Sequence, residues 1–103
     1  MEIPSDVRLA WLRQLVREMQ SILFHHRLSM APAALRLEPL GRDWGRYEPQ
    51  NRCIVLSLDL LRQYPWDVVL EVLKHEMAHQ WVHEKLDGVG AAAPHGRLFA
   101  EAC

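Results

Sequence analysis

The chain has 103 residues, half of them apolar, and its 12 basic and 13 acidic side chains leave a formal charge of -1. That length suits one small domain, 1–103, with a single core, and the near-neutral balance argues against a nucleic-acid binder or a polybasic membrane ligand. Only Cys53 and Cys103 are present, far apart and without a C-x-x-C pair, which argues against a disulfide scaffold or a zinc ribbon and fits a reducing cytoplasm.

The opening "MEIPSDVRLAWLRQL" carries an early acid and proline, and charges interrupt its apolar residues, unlike a signal peptide. Nothing in the chain approaches the run of about 20 apolar residues that a membrane span needs, so no membrane partner is expected. After Pro4, Ser5 or Asp6 can cap a helix. Val7, Trp11, Leu12, Leu15, Val16, Met19, Ile22 and Leu23 then recur at three- and four-residue spacing, which predicts a long amphipathic helix to about Leu28 covering one side of a sheet. "SMAPAA" breaks it, because Pro32 disfavours helical geometry in Ala31. A local basic excess runs through this half: nine arginines from Arg8 to Arg62 stand against five acids. Arginines solvating a helix and a hairpin account for it better than a positive binding face.

"LRLEPLGRDWGRYEPQNRCIVLSLDLL" reads as strands and turns. Leu35 and Leu37 alternate with Arg36 and Glu38, Gly41 and Gly45 punctuate, and "RCIVLSL" is short, apolar and β-branched. A small, mostly antiparallel sheet of about three strands is expected. "EPQN" makes the turn of a hairpin, with Pro49 early and Asn51 tolerant of a left-handed backbone. A second helix follows over "PWDVVLEVLKHEMAHQWVHEKL", with Pro65 before it, Asp67 in its first turn, Lys85 in its last and Gly88 after it. "DGVGAAAPHGRLFAEAC" then reads as a Gly/Ala loop leading into a helical start at Gly96 or Arg97. The fold class is α+β.

On a helix His75 and His79 lie about 40° apart and one turn up, so their imidazoles project to a common point as a pair of metal ligands. Glu76 lies about 100° from His75, within reach of a water on the metal's open position. Glu71, Lys74 and Lys85 share one narrow strip while apolar residues fill most of the remaining circumference, so His75, Glu76 and His79 are expected on a largely buried helix. There an unpaired carboxylate costs several kcal/mol, and a bound cation resolves all three residues at once. A catalytic zinc normally takes three protein ligands and water. His83 is two turns from His75, too far along the axis to converge easily. His95 is the better third candidate, because Gly88, Gly90 and Pro94 let the loop fold back and Gly96 permits a sharp turn. His25 and His26 read as partners of a helix C-terminal dipole.

"VLKHEMAHQW" followed by "HGRLF" resembles the SprT-like zinc metalloproteases of the zincin group, in which a His-Glu-x-x-His helix is followed by a His-Gly and a nearby aromatic, here Phe99. "WGRYEPQNRCIVLSLDLL" is similar to the hairpin before that helix, and the resemblance runs from about residue 7 to the end. It implies a minimal zincin-like domain with one Zn2+ per chain on His75, His79 and His95, Glu76 as general base, and a protein or peptide substrate. The family includes proteases of DNA-crosslinked proteins, so DNA association is implied by resemblance alone. These residues hold no cysteine-rich zinc ribbon or DNA-binding tail, and a closing helix is expected beyond their end.

The resulting expectation is peptide hydrolysis, with Glu76 taking a proton from water and passing it to the leaving amine. The strand around Trp44 to Glu48 is expected to hold an extended substrate by main-chain pairing, with Trp44 and Tyr47 lining the cleft or packing on the first helix. Tyr47, His83 and Arg97 are the candidates for stabilising the oxyanion. The alternatives are a zinc-stabilised binding module without catalysis and a metal-dependent hydrolase of another bond.

Overall fold

The computed structural model describes residues 3–85. Its first helix, α1 (Ser5–His25), has Pro4 rather than Ser5 or Asp6 at the cap position, and the Pro4 carbonyl accepts the Arg8 amide at 3.1 Å. Asp6 still sits in the first turn, where the helix dipole favours an acid. Leu15, Met19 and Leu23 form the buried stripe, spaced four residues apart as the apolar periodicity predicts.

The helix closes before Leu28, and not through Pro32. The Leu28 amide reaches back to the Leu23 carbonyl at 3.0 Å and the Arg27 amide to the Phe24 carbonyl at 3.2 Å, while Arg27 adopts a left-handed φ of 53°. This pair of bonds is a Schellman ending, in which two otherwise orphaned carbonyls are satisfied and the next apolar residue turns back. Leu28 accordingly packs on the core.

Three strands follow: β1 (Ala34–Glu38), β2 (Gly45–Glu48) and β3 (Cys53–Ser57), in spatial order β1-β3-β2. The expected small sheet is present, but its pairing is mixed rather than mostly antiparallel. β2 and β3 form the antiparallel hairpin, with Gly45 opposite Leu56 and Glu48 opposite Cys53, whereas β1 lies parallel on the other edge of β3. The link from Pro39 to Trp44 passes the end of β3, where Glu38 pairs with Ser57, and so carries the chain from one sheet edge to the other. In the hairpin, Pro49–Asn51 form a 3-10 turn, and Arg52 rather than Asn51 takes the left-handed conformation, at φ 46° and ψ 54°. Asn51 instead donates from its side-chain amide to Glu48.

Central β3 is buried along its whole length, which is why "CIVLS" shows a continuous apolar run instead of alternation. Ile54 and Leu56 face the helices and join the main core. On the opposite face Val55 lies between Arg36 and Arg46, and these pair with Glu38 at 2.8 Å and Glu48 at 2.9 Å, with a further 3.4 Å contact from Arg36 to Glu48. The arginines of the hairpin thus serve a charge-balanced cover over Val55, in line with the solvating role.

Ser57 ends β3 and begins α2 (Leu58–Gln63), a short helix absent from the sequence expectation; its hydroxyl accepts from the amides of Asp59 and Leu60. After extended Tyr64, Pro65 opens α3 (Trp66–Lys85), and its carbonyl accepts from Val68 and Val69. Trp66 donates its indole N–H to Glu18, tying the start of α3 to α1. Both long helices lie against the same sheet face, with α1 over β1 and α3 over β2 and β3. No described helix is long and apolar enough to cross a membrane.

One detail of register bears on the site. The Ser57 amide donates to the Trp44 carbonyl at 2.9 Å, so Trp44 and Ser57 are a hydrogen-bonded pair. Because such pairs alternate along an antiparallel ladder, Arg46 also points its backbone groups at β3, and Gly45 and Tyr47 direct theirs to the other side of β2, where no strand pairs among the described residues.

Candidate active site

The polar residues of "HEMAH" meet three different environments on α3. Glu76 is buried at 6% relative exposure, His79 is half-buried and His75 is exposed. The expected burial of the whole motif therefore holds for its glutamate, whereas His75 stands at the open side. The two imidazoles are edge to face, with ring centroids 4.8 Å apart and planes at 81°, as an i, i+4 pair on one helix face requires.

Burial pushes the Glu76 carboxyl up to about 7, and the negative charge of Asp43 in the β1–β2 link adds to the shift. The surroundings are built by a close approach of strand and helix at Gly45. A Cβ there would meet the Leu56 Cδ2 and Val72 Cγ1 at 3.1 Å and the Glu76 Cγ at 3.2 Å. Any side chain there would require these neighbours to give by a few tenths of an ångström, so glycine suits this close approach of β2 to α3.

In front of Glu76 opens a cleft of about 360 Å³, bounded by Trp44 and Gly45 on the strand side and by Val68, Val72 and His75 on the helix side. Trp44 reaches this wall from the start of the hairpin and packs edge-on against Tyr64, with centroids 5.0 Å apart. It thus fulfils the cleft-lining expectation. Tyr47 points elsewhere: its phenol donates to Glu84 at 3.2 Å. Burial, then the charge of Glu84 and that hydrogen bond, push the phenol up to about 12, against a smaller opposing effect of Arg52.

His83 is exposed and leans on the Tyr47 ring at 6.2 Å, away from the His75–His79 pair. His25 and His26 sit at the end of α1, where His25 packs edge-on against Phe24. His95 and Arg97 lie outside the described residues. The structure thus brings together His75, Glu76 and His79, and adds Gly45, Val68, Val72 and Asp43, which sequence reasoning did not connect to the site. Gly45 carried a signal, but as a turn residue; its contact with Glu76 is set by long-range packing.

Among the described residues no group of three or more His, Cys, Asp or Glu is placed to hold a metal ion. The donors that are described still suit zinc: two imidazoles converging one helical turn apart, beside a carboxylate kept from water, match a borderline-soft divalent ion with nitrogen ligands.

The SprT-like family model matches residues 12–103. No curated protein matches the chain. Among solved structures, the metallopeptidase zymogen jannalysin of Methanocaldococcus jannaschii superposes with a TM-score of 0.61 at 13% identity, covering 84% of this chain and 74% of that one. The metallopeptidase zymogen abylysin of Pyrococcus abyssi gives a TM-score of 0.56 at 21% identity, over 82% of this chain and 75% of that one. At such identities the likeness is one of fold alone. With the family model spanning residues 12–103 of 103, the chain belongs to the SprT-like family.

Proposed function

We propose that the protein is a zinc-dependent metallopeptidase that hydrolyses peptide bonds in protein substrates, with Glu76 as its general base. The observation that carries this reading is the placement of Glu76: a carboxyl buried at the head of an open cleft, on the helix turn that also presents two facing imidazoles. Membership of the SprT-like family and the likeness to two metallopeptidase zymogens support it.

His75 and His79 would hold the ion, with His95 as the third ligand. Bound zinc supplies Lewis acidity, which acidifies water and polarises a carbonyl oxygen. Glu76 accepts a proton from the attacking water on a carboxylate oxygen as the water's oxygen adds to the carbonyl carbon. It returns that proton to the amine nitrogen as the C–N bond breaks. The outward-facing backbone groups of Gly45 and Tyr47 offer an extended peptide a partner strand beside the cleft. Tyr47 is a poor oxyanion donor, since its phenol is already engaged by Glu84.

The test compares wild type, Glu76→Gln and His95→Ala for zinc content and casein cleavage. One zinc per chain is expected in wild type and Glu76→Gln, with cleavage lost by about a hundredfold or more in the variant. Equal cleavage by zinc-loaded Glu76→Gln would sink the general-base role. Zinc held by Glu76→Gln without any cleavage by wild type would favour a binding module. Wild-type zinc affinity in His95→Ala would remove His95 from the ligand set.

A further inference from the structure

Glu84, near the end of α3, gathers donors from the hairpin as well as from its own helix. Its Oε2 accepts from the Tyr47 phenol at 3.2 Å, the Arg52 Nε at 3.0 Å and the Gln80 amide at 3.1 Å, and its Oε1 accepts from the Arg52 Nη2 at 3.3 Å. Gln80 is fully buried and also donates to the Ala31 carbonyl at 3.0 Å, so the donor that orients Glu84 is itself held. Arg52 closes the hairpin turn at φ 46°, a left-handed backbone that is costly for a residue with a side chain. Such a conformation persists only where its surroundings enforce it, and here the guanidinium is tied to both Glu84 oxygens and to the Ala31 carbonyl.

β2 is therefore attached to α3 at two points. At Gly45 the strand lies against Val72 and the stem of Glu76, beside the reacting groups. At Tyr47, two residues and about 7 Å further along the strand, the phenol spans to Glu84, about 12 Å beyond Glu76 on the helix. The first attachment is apolar contact at the site, and the second is polar and remote from it.

We propose that Glu84 is a positioning residue for the substrate: by holding Tyr47 and Arg52 against α3 it sets the far half of β2, so that Tyr47 meets the peptide residue two positions from the one beside Gly45. The inference rests on the peptidase reading and on main-chain pairing at β2. Because Gly45 keeps its own contacts with α3, loosening the far half leaves the geometry at Glu76 in place. Glu84 thus governs affinity for long peptides and not the bond-breaking step. A network that served stability alone would not distinguish one substrate length from another.

The experiment takes a casein peptide that the zinc-loaded wild type cuts and makes it with four, and with two, residues on either side of the cut bond. The shorter form does not reach Tyr47 when Gly45 holds a residue next to that bond. Glu84→Ala and Tyr47→Phe are expected to raise KM for the longer peptide at least fivefold, with kcat within twofold of wild type and the shorter peptide unaffected. Glu84→Gln, which keeps a carbonyl acceptor but not the charge, should fall between. Leu15→Val, which takes one methylene from the buried stripe of α1 over the opposite sheet edge, is the stability control and should leave both KM values unchanged. Amide exchange followed by NMR reads the strand without catalysis. The Glu48 amide faces β3 at the far end of the ladder and the Ser57 amide bonds Trp44 at the near end. In Glu84→Ala the ratio of the Glu48 rate to the Ser57 rate should rise at least tenfold, and in Leu15→Val it should stay at the wild-type value. Equal KM effects on both lengths, a loss confined to kcat, Leu15→Val matching Glu84→Ala, or an unchanged exchange ratio would each overturn the positioning role. No cleavage of casein by the zinc-loaded wild type would instead overturn the peptidase reading, and the exchange ratio would still decide whether Glu84 holds β2.

Discussion

Glu76 gives the site a pH signature that can be read without catalysis. In the metal-free chain its carboxyl titrates near 7 instead of 4.5, so the folded state keeps a proton that the unfolded state releases between those values. Stability from this group is fully present below 4.5 and falls as pH rises through about 7. Replacing it with an uncharged isostere should remove the penalty. Metal-free Glu76→Gln is expected to melt close to wild type at pH 4.5 and to be more stable by on the order of 2 kcal/mol at pH 8. Identical wild-type melting at the two pH values relative to the variant would contradict this. Gly45 offers a second check, since a methyl group there must displace Leu56, Val72 or the stem of Glu76 by a few tenths of an ångström. Gly45→Ala should cost about 1 kcal/mol in stability through overpacking and lower turnover by tenfold or more while zinc binding persists. The motif residues were legible from spacing because helix geometry makes i, i+4 neighbours local. The contact of Gly45 with Glu76 was not, because what makes them neighbours is a strand laid on a helix across some thirty positions of sequence.

At the level of elements, the sequence spoke most clearly where structure is local and periodic. The apolar repeat from Val7 to Leu23 became α1, and "EPQN" became the hairpin turn, with only the left-handed residue shifted to Arg52. α2 escaped because its six residues continue the apolar run of β3, and six residues are too few to show a helical period. Its start was marked by Ser57, a good cap residue whose hydroxyl satisfies two amides from a position with no solvent exposure. Ser57→Ala should therefore lower stability by about 1–2 kcal/mol, visible as a shift in the denaturant midpoint at constant slope, with Ser57→Thr closer to wild type. The parallel placement of β1 was illegible for another reason. Turn chemistry specifies that two neighbouring strands form a hairpin, but which free edge a third strand joins is decided by how α1 and α3 share one face of the sheet.

Across the whole molecule, Glu84 is the point where separate parts are fastened. Its carboxylate accepts from Tyr47 on β2, from Arg52 after the hairpin turn and from Gln80 one turn earlier on α3, and Gln80 also donates to the Ala31 carbonyl. Burial opposes its charge, yet the bonds from Arg52 and Gln80 outweigh it and hold the carboxyl below the usual range. Its stabilising effect is thus present above the ordinary carboxylate pKa and is lost as pH falls through the depressed one. Glu84→Ala is expected to cost about 1–2 kcal/mol at neutral pH, discounted for the half-exposed Arg52, and to bring the Tyr47 phenol down from about 12 in an ultraviolet titration. An unchanged phenol titration would show that burial alone sets it. No such network is visible in sequence, because its members lie 32 and 37 positions apart. The alternation of backbone groups along β2 has a consequence of the same reach. If Gly45 and Tyr47 alone turn their amides and carbonyls outward, a peptide laid on that edge is held at every second residue. Methylating its backbone nitrogens one at a time should then give a period-two pattern in which two positions abolish cleavage and the residue between them is indifferent. Proline should be refused at those same two positions, whatever side chain fills the cleft.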